Sequence, residues 1–533
     1  MGEVFTIKNL PSFVILCISL NTSFKKVISI VLGFLLLSFS LSAQLKNESG
    51  KKLILVKQAT LGISEIKEGV ETTRFIGDCI FEHEGALMYC DSATLFNSAN
   101  QVKALGNVYM NIGDTLFIYS DSLFYDGNLK TATLYDNVKL IDTTAELSTD
   151  LLIYDRLIER AHYPNYGVIV SDSNRLTSIN GYYYTSPKEF LFQNNVVLTN
   201  PDYVLKSDTL LYKSEVKTAV IRGPTTITGK DRYIYAESGW YDTRYENAHL
   251  RKKVFIRDKD RTLNADTVYY QKKINYGEAF GHVILHDTTQ NIFALGKKAK
   301  LFGLKELAWI TGNTEARMVD KKDTLFLHAD SLKLIYDTVQ QDGRFLYGFH
   351  HVKFFKKDMQ GVCDSIVYAK TDSMATMFGR PILWNENNQL TADTIYLWTS
   401  NQTADSSLFK GNAFIVQEDD SLKLSYNQVK GRDMRAYFKD DSLRTVFVNG
   451  NAETVYYSRE EDRTLVGILY LMSSKIKLNF ESNDIREVIY IEKPDGGMYP
   501  EKDYPTDKLR LKGFIWNEKD RPRNKKEIFI HRE

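Results

Sequence analysis

Ile118-Tyr-Ser-Asp-Ser-Leu-Phe-Tyr125 runs apolar, variable, small, Asp, Ser or Thr, apolar, variable, Tyr, and the same order returns as Leu205-Lys-Ser-Asp-Thr-Leu-Leu-Tyr212 and Leu263-Asn-Ala-Asp-Thr-Val-Tyr-Tyr270. Cys363-Asp-Ser-Ile-Val-Tyr368 and Leu390-Thr-Ala-Asp-Thr-Ile395 are partial copies, and weaker ones centre on Asn180, Glu237 and Lys297. Indexed on the Asp, the series reads Asp91, Asp121, Asp150, Asn180, Asp208, Glu237, Asp266, Lys297, Asp330, Asp364 and Asp393, at intervals of 28 to 34 residues. Less regular copies continue through Asn427 and Ser474. Self-similarity sustained at such a period marks a stacked array, in which each unit buries its apolar face against the next.

A second signal lies half a period later. Gly106-Asn107-Val108, Asp136-Asn137-Val138, Asn194-Asn195-Val196, Gly281-His282-Val283, Gly411-Asn412-Ala413 and Gly450-Asn451-Ala452 each precede a strand-like run. Gly and Asn tolerate positive φ, so these pairs are read as tight turns. The unit is then strand, turn, Gly-Asn turn, strand. Composition agrees, with 32 Tyr and 29 Phe against 10 Pro, a balance that suits pleated surfaces. No extended stretch of the mature chain carries a capped helical period.

The register inside the first strand adds a mechanical detail. Apolar or small residues stand three and one before the index Asp, then two and four after it. Side chains alternate faces along a strand, so the inward parity flips across Asp-Ser/Thr. A flat strand cannot do this. A bulge or corner is expected there, with the Asp or Ser/Thr side chain bonding nearby backbone N–H groups. The position before the Asp holds Cys90, Ser120, Thr149, Ile179, Ser207, Ala236, Ala265, Gly296, Ala329, Cys363 and Ala392. Nearly all are small, as the inside of a corner requires. Stacked bent strands give a folded trough. The expected fold is all-β, a repetitive bent-sheet β-jellyroll or β-solenoid array with a period of about 30 residues. About thirteen repeats of one or two layers at ~4.8 Å predict a rod of roughly 60–125 Å.

The Tyr four places after the index forms a column of Tyr125, Tyr154, Tyr184, Tyr212, Tyr241, Tyr270 and Tyr368. It is a stacked core ladder, or the wall of a groove if the trough is open. The groove candidates are Leu123, Tyr125, Leu152, Tyr154, Leu210, Tyr212, Val268, Tyr270, Ile366 and Tyr368.

Charge and punctuation bound the class. Lys plus Arg number 68 against 67 Asp plus Glu, which argues against a nucleic-acid binder. Lys25-Lys26, the apolar run from Val27 to Leu41 and Ser42-Ala43-Gln44 read as an export signal cleaved after Ala43. The run has 15 residues, short of the ~20 a membrane span needs; an uncleaved anchor is the alternative. A second apolar stretch, Phe13 to Leu20, lies upstream of the lysines and fits a translation start near Leu20. No Cys stands at the cleavage point to take a lipid. Cys17 lies in the targeting region, which leaves Cys79, Cys90 and Cys363, an odd number that does not make a disulfide framework. Cys90 and Cys363 fill the small corner slot.

Catalytic patterns are absent. Gly223-Pro-Thr-Thr-Ile-Thr-Gly229-Lys230-Asp231 has one residue too many between its glycines for a phosphate loop and Asp where Ser or Thr would hold magnesium. His282 and His286 flank a strand-like Val-Ile-Leu, and His350-His351 is read as a surface loop. There is no H-E-x-x-H, C-x-x-C or G-x-S-x-G. Ten copies of Asp-Ser/Thr are too many for a catalytic pair. No catalytic, cofactor or metal residue is assigned, and a non-enzymatic protein is expected. The chain divides into a signal region (1–43), regular repeats (44–290), less regular repeats (291–506) and a basic tail (507–533). That tail loses the repeat, contains Gly513-Phe-Ile-Trp516 and Arg521-Pro-Arg-Asn-Lys-Lys526, and from Lys508 carries 9 basic against 4 acidic residues.

A signal segment followed by repeats of Ala-Asp-Thr/Ser-Leu-x-Tyr and Gly-Asn-Val-x-Leu resembles the OstA-like (organic solvent tolerance) family, which is related to the periplasmic bridge proteins of lipopolysaccharide transport. The likeness is best from Lys51 to Asn200, including Ala104-Leu-Gly-Asn-Val108, and continues as a repeat to Phe480. Ser474-Lys-Ile-Lys-Leu-Asn-Phe480 and Pro494-Asp-Gly-Gly-Met-Tyr-Pro500 look like the closing part of long members. Each motif is degenerate; their number and order carry the likeness. The resemblance implies a jellyroll interior that shields lipid A acyl chains, and modules that stack through exposed edge strands. The chain departs from a short bridge module in its length. The expectation is a lipid-shielding envelope protein, free in the periplasm or held at the outer or inner membrane. Its partners would be lipopolysaccharide or a related lipid and other jellyroll components joined by edge-strand addition, with no nucleic acid. The alternative is a structural or protein-interaction scaffold with a closed core. The first edge, near Leu53 to Val56, is the candidate docking edge, and the basic tail is expected to guard or dock the other end.

Overall fold

In the strand Leu116–Asp126, Leu116, Ile118 and Ser120 point inward, and so do Leu123 and Tyr125; parity changes across the exposed Asp121. The same switch recurs along the chain and bends the sheet along one line. The computed structural model describes residues 52–531 except 68, 320–322, 338–342, 401–402, 420–424, 440–441, 461, 463 and 482–483. The export segment lies outside the described residues. Among the described residues the elements are 36 strands in one sheet and five single-turn 3₁₀ helices, and no helix is long and apolar enough to cross a membrane.

The topology is a meander. Strands β3 (Val70–His83), β4 (Ala86–Phe96), β5 (Gln101–Ile112), β6 (Leu116–Asp126), β7 (Thr131–Ile141) and β8 (Glu146–Asp155) each pair antiparallel with the next. In places the bend cuts a rung in two. β1 (Leu55–Gln58) and β2 (Leu61–Lys67) both pair with β3, and Arg160–Tyr163 and Gly167–Ser171 both pair with β8. With each cut pair taken as one, the strands make about 28 rungs, and ~4.8 Å per rung gives a length on the order of 130 Å. This lies at the top of the range expected from the repeat count, because every repeat of about thirty residues contributes two rungs, and slightly above it, because about two rungs lie beyond the counted repeats. Small-angle scattering of the mature chain should therefore show a rod of that length. A radius of gyration near ~24 Å, the globular value for such a chain, would contradict it.

The Gly-Asn pairs are not turns, and that expectation is corrected. Gly106 and Asn107 lie inside β5 with φ of 76° and 44°. Leu105 faces Ser122 and Val108 faces Ser120, so the pair together opposes Asp121 alone. Two residues against one is a β-bulge. His350 and His351 are likewise no surface loop: they form the bulge of the strand Gly343–Lys356, with φ of 60° and 51°. In five rungs the bulge side chain meets the index Asp of a neighbouring rung. Asn107 Nδ2 donates to Asp91 Oδ2 at 2.9 Å, Asn137 Nδ2 to Asp121 at 2.7 Å, and Asn412 Nδ2 to Asp393 at 3.0 Å. His282 Nδ1 lies 2.8 Å from Asp266, and His351 Nδ1 2.8 Å from Asp330. In these rungs the Asp is held by a side chain rather than by backbone N–H. At Asp208 the partner is the Thr209 hydroxyl, 3.2 Å away.

The inside of the corner has its own bond. The small hydroxyl before the Asp donates to the carbonyl two residues on: Ser120 to Ser122 at 3.0 Å, Ser207 to Thr209 at 3.1 Å, Ser178 to Asn180 at 3.0 Å. Elsewhere the slot is filled by Ala or by a buried thiol. Cys79 and Cys90 face each other across β3 and β4, both buried and free. Burial pushes the Cys90 thiol up to about 12, which keeps it protonated. The Ser178 bond also corrects the index. Ser178 is buried and Ile179 is 43 % exposed, so Ile179 and not Asn180 takes the Asp position of that rung. Tyr183 then points inward and Tyr184 outward.

Gly106 tests the corner. A Cβ there would lie 2.4 Å from Asp91 Oδ2, on a φ of 76°. Gly106→Ala should cost about 1–3 kcal/mol, seen as a lower urea midpoint. An unchanged midpoint would show that the corner relaxes freely.

The tail after Tyr499 does not guard the far end. It runs back along the outer face of one arm. Tyr504, Leu511 and Ile528 are buried, and Phe514 and Trp516 pack with Phe414, Val416, Tyr426, Val455 and Ile468 in a second apolar cluster. Buried glutamines and a lysine bind it. Gln428 Nε2 donates to Leu509 O at 2.8 Å and Gln389 Nε2 to Ile515 O at 2.6 Å. Arg521 Nη2 donates to Gln360 Oε1 at 2.7 Å and Lys353 Nζ to Ile530 O at 2.7 Å.

Candidate functional site

The bend gives the sheet two arms whose inner faces look at each other. Along β4 to β6, the residues 86–90, 108–112 and 116–120 form one arm and the residues 92–96, 101–105 and 122–126 the other. Inward side chains of both arms join one apolar core that runs from Ile54 to Phe480. All ten groove candidates belong to this inner face. Leu123, Tyr125, Leu152, Tyr154, Leu210, Tyr212, Val268 and Ile366 are buried within it, while Tyr270 and Tyr368 are partly buried and packed against it. The structure brings the column together as a line rather than as one point.

The line has closed and open stretches. In the first part the arms touch at their free edges. His83 Nδ1 lies 2.7 Å from Tyr125 OH, and Arg156 Nη1 donates to that hydroxyl at 3.0 Å and to His83 O at 2.9 Å. Burial raises the Tyr125 phenol, with Arg156 opposing. Tyr183 OH donates to Asp142. Lys217 Nζ pairs with Asp172 at 2.8 Å and donates to Ser171 Oγ at 3.0 Å. These contacts latch the mouth of the trough, and Leu123 and Leu152 behind them are 1 % and 0 % exposed.

Further along, the arms part. A cavity of about 910 Å³ is lined by Ile227, Leu250, Leu263, Val268, Tyr270, Leu285 and Leu301, with Arg232, Asp258, Arg261 and Glu306 among its polar residues. Arg261 sits 3.7 Å over the Tyr336 ring, and Arg344 Nη1 reaches Asp287 at 2.6 Å. The Tyr203 hydroxyl at this cavity is buried without a hydrogen-bond partner, as is that of Tyr212. A second cavity of about 390 Å³ is lined by Leu325, Leu327, Leu346, Ile366, Tyr368, Ala375, Met377 and Leu397, with Asp323, Lys356, Lys357 and Asp358 among its polar residues. Both volumes fall within the roughly 300–1,000 Å³ of small-molecule sites. The linings are mainly apolar and neither joins a nucleophile to a base, so the arrangement can bury apolar mass.

The latches were not predicted from the sequence. His83 and Tyr125 stand 42 residues apart, and Arg156 and His83 73. No local pattern links them.

No curated protein matches the chain. Among solved structures, it is similar to the crystal structure of LptH, the LptA homologous periplasmic component of the conserved lipopolysaccharide transport device from Pseudomonas aeruginosa. The identity is 13 % and the TM-score 0.21, over 27 % of this chain and 99 % of that one. The OstA-like protein family matches residues 50–208 and 241–393. With more than half of its length matched, and with bent antiparallel rungs recurring throughout, the chain belongs to the OstA-like protein family.

Proposed function

We propose that this protein is a non-enzymatic component of lipopolysaccharide handling in the cell envelope, exported to the periplasm, and that its inner face shields lipid acyl chains. The observation that carries the reading is the continuous apolar interior from Ile54 to Phe480, which opens into cavities beside Val268 and Tyr270 and beside Ile366 and Tyr368. Each CH₂ moved from water into such an interior gains roughly 0.8 kcal/mol, so no reaction or cofactor is required. Family membership supports the lipid class. The partner is a further jellyroll added to the first edge. β1 and β2 pair only with β3 among the described residues, and Leu55, Leu61, Ile63 and Ile66 on them are exposed. Unpaired strand edges of this kind are templates for strand addition.

A second reading is a scaffold with a closed core. It is favoured by the latched stretch, where Leu123, Leu152 and Leu210 are buried. Native mass spectrometry of the mature chain, purified from membranes containing lipopolysaccharide, separates the two. Co-purifying lipid A species are expected; a protein that is repeatedly lipid-free, and takes up none on incubation, would leave the scaffold.

A further inference from the structure

We infer that the end of the C-terminal strap is pinned to the sheet by a divalent transition metal ion of the zinc class, held by His328, Asp330 and His531. His531 lies about two hundred residues from the other two, and two parts of the fold bring the three together, the strand that carries His328 and Asp330 and the chain segment that runs back over it. His328 lies on the strand Thr324–Asp337 and is 5 % exposed, on the outer face that the tail covers. Asp330 is the corner residue of the same strand. His531 is delivered by the strap, whose preceding residues are fixed by the fully buried Ile528 and by Lys353 Nζ on Ile530 O at 2.7 Å. One ligand atom from each of the three lies within 4.8 Å of the others.

The surroundings supply what a metal site needs. His328 Nδ1 is 2.6 Å from Thr314 O. A carbonyl can only accept, so Nδ1 carries the proton and Nε2 keeps its lone pair for a metal. Asp330 is oriented by His351 Nδ1 at 2.8 Å, the outer-shell contact that usually steadies a carboxylate ligand. The His351 and His531 rings stand 5.0 Å apart, and those of His328 and His531 5.2 Å. Two imidazoles and a carboxylate, with a fourth position for water, suit zinc better than magnesium or calcium. Metal–ligand bonds of ~2.0–2.1 Å require ligand atoms about 3.3 Å apart. The site closes to that spacing by a small movement of His531, the exposed member on the chain end.

The test uses the full mature chain, stripped with chelator and dialysed against zinc chloride. Metal analysis should find about one tightly held zinc per chain, and zinc should slow tryptic cleavage at Lys525 and Lys526. His531→Ala changes an exposed terminal side chain and leaves the fold intact; it should abolish both effects. His351→Ala should weaken binding roughly tenfold, the low end of an outer-shell loss. A parent chain that retains no stoichiometric zinc overturns the assignment, and so does a His531→Ala chain that binds zinc as tightly as the parent. Neither outcome bears on lipid binding.

Discussion

Ala375→Trp combined with Ala404→Phe is expected to remove most lipid capture by the second cavity, with at least about tenfold weaker binding, or about 1.4 kcal/mol. Both alanines line the cavity of about 390 Å³ beside Ile366 and Tyr368. The large rings occupy space that acyl chain would otherwise take. They add apolar contact to a void, so stability should hold or rise by roughly 0.5–2 kcal/mol. That combination, an intact or firmer fold with less lipid, is what a structural interior cannot produce. A double variant that melts higher and loads lipid like the parent would leave the interior a packing core. The more obvious substitutions are uninformative. Leu123 and Leu210 are 1 % and 0 % exposed, and an unpaired charge there would cost several kcal/mol and unfold the rung before lipid could be measured.

Ending the chain at Asp503 is expected to have the largest effect on stability. The deletion removes the buried side chains of Tyr504, Leu511 and Ile528. At about 1.5–3 kcal/mol each, the loss is roughly 5–9 kcal/mol as an upper bound. It also uncovers Phe414, Val416, Tyr426 and Ile468 and strips Gln360, Gln389 and Gln428 of their strap partners. An outer face with such a patch should bind a hydrophobic dye and drive association. Chain melting is the measurement. A truncated chain that melts with the parent and binds no dye would show that the strap is only laid against the sheet.

What the sequence discloses is whatever repeats. The interval of about thirty residues, the parity flip across the Asp and the small residue before it predict the bent rung, and the same parity turns Leu123, Leu152, Leu210 and Val268 inward, where the structure buries them in one core. The Gly-Asn pairs were misread because positive φ marks a bulge as well as a turn; only the pairing of Leu105 with Ser122 and Val108 with Ser120 separates the two. At Asn180 the conspicuous amide drew the index one residue too far, and the even spacing through position 179 shows that the corner is set by the small inward hydroxyl of Ser178. The closed and open stretches of the interior depend on contacts such as Arg344 with Asp287, 57 residues apart, which no periodicity encodes. The strap is aperiodic for the same reason: its partners are glutamines that look like ordinary outward residues until something covers them.

The alternation of Asp rungs with bulge rungs has a consequence for how such a chain can change its length. A single added rung would reverse the chain's direction, set a bulge beside a bulge and leave an Asp without its amide. Two rungs restore both direction and partner. Insertion and deletion are therefore quantised at about thirty residues, and each event moves the two ends by ~9.6 Å, twice the strand spacing, with their relative orientation altered only by the twist of the sheet. Relatives of this protein should differ in length by whole steps of that size, like marks on a ruler.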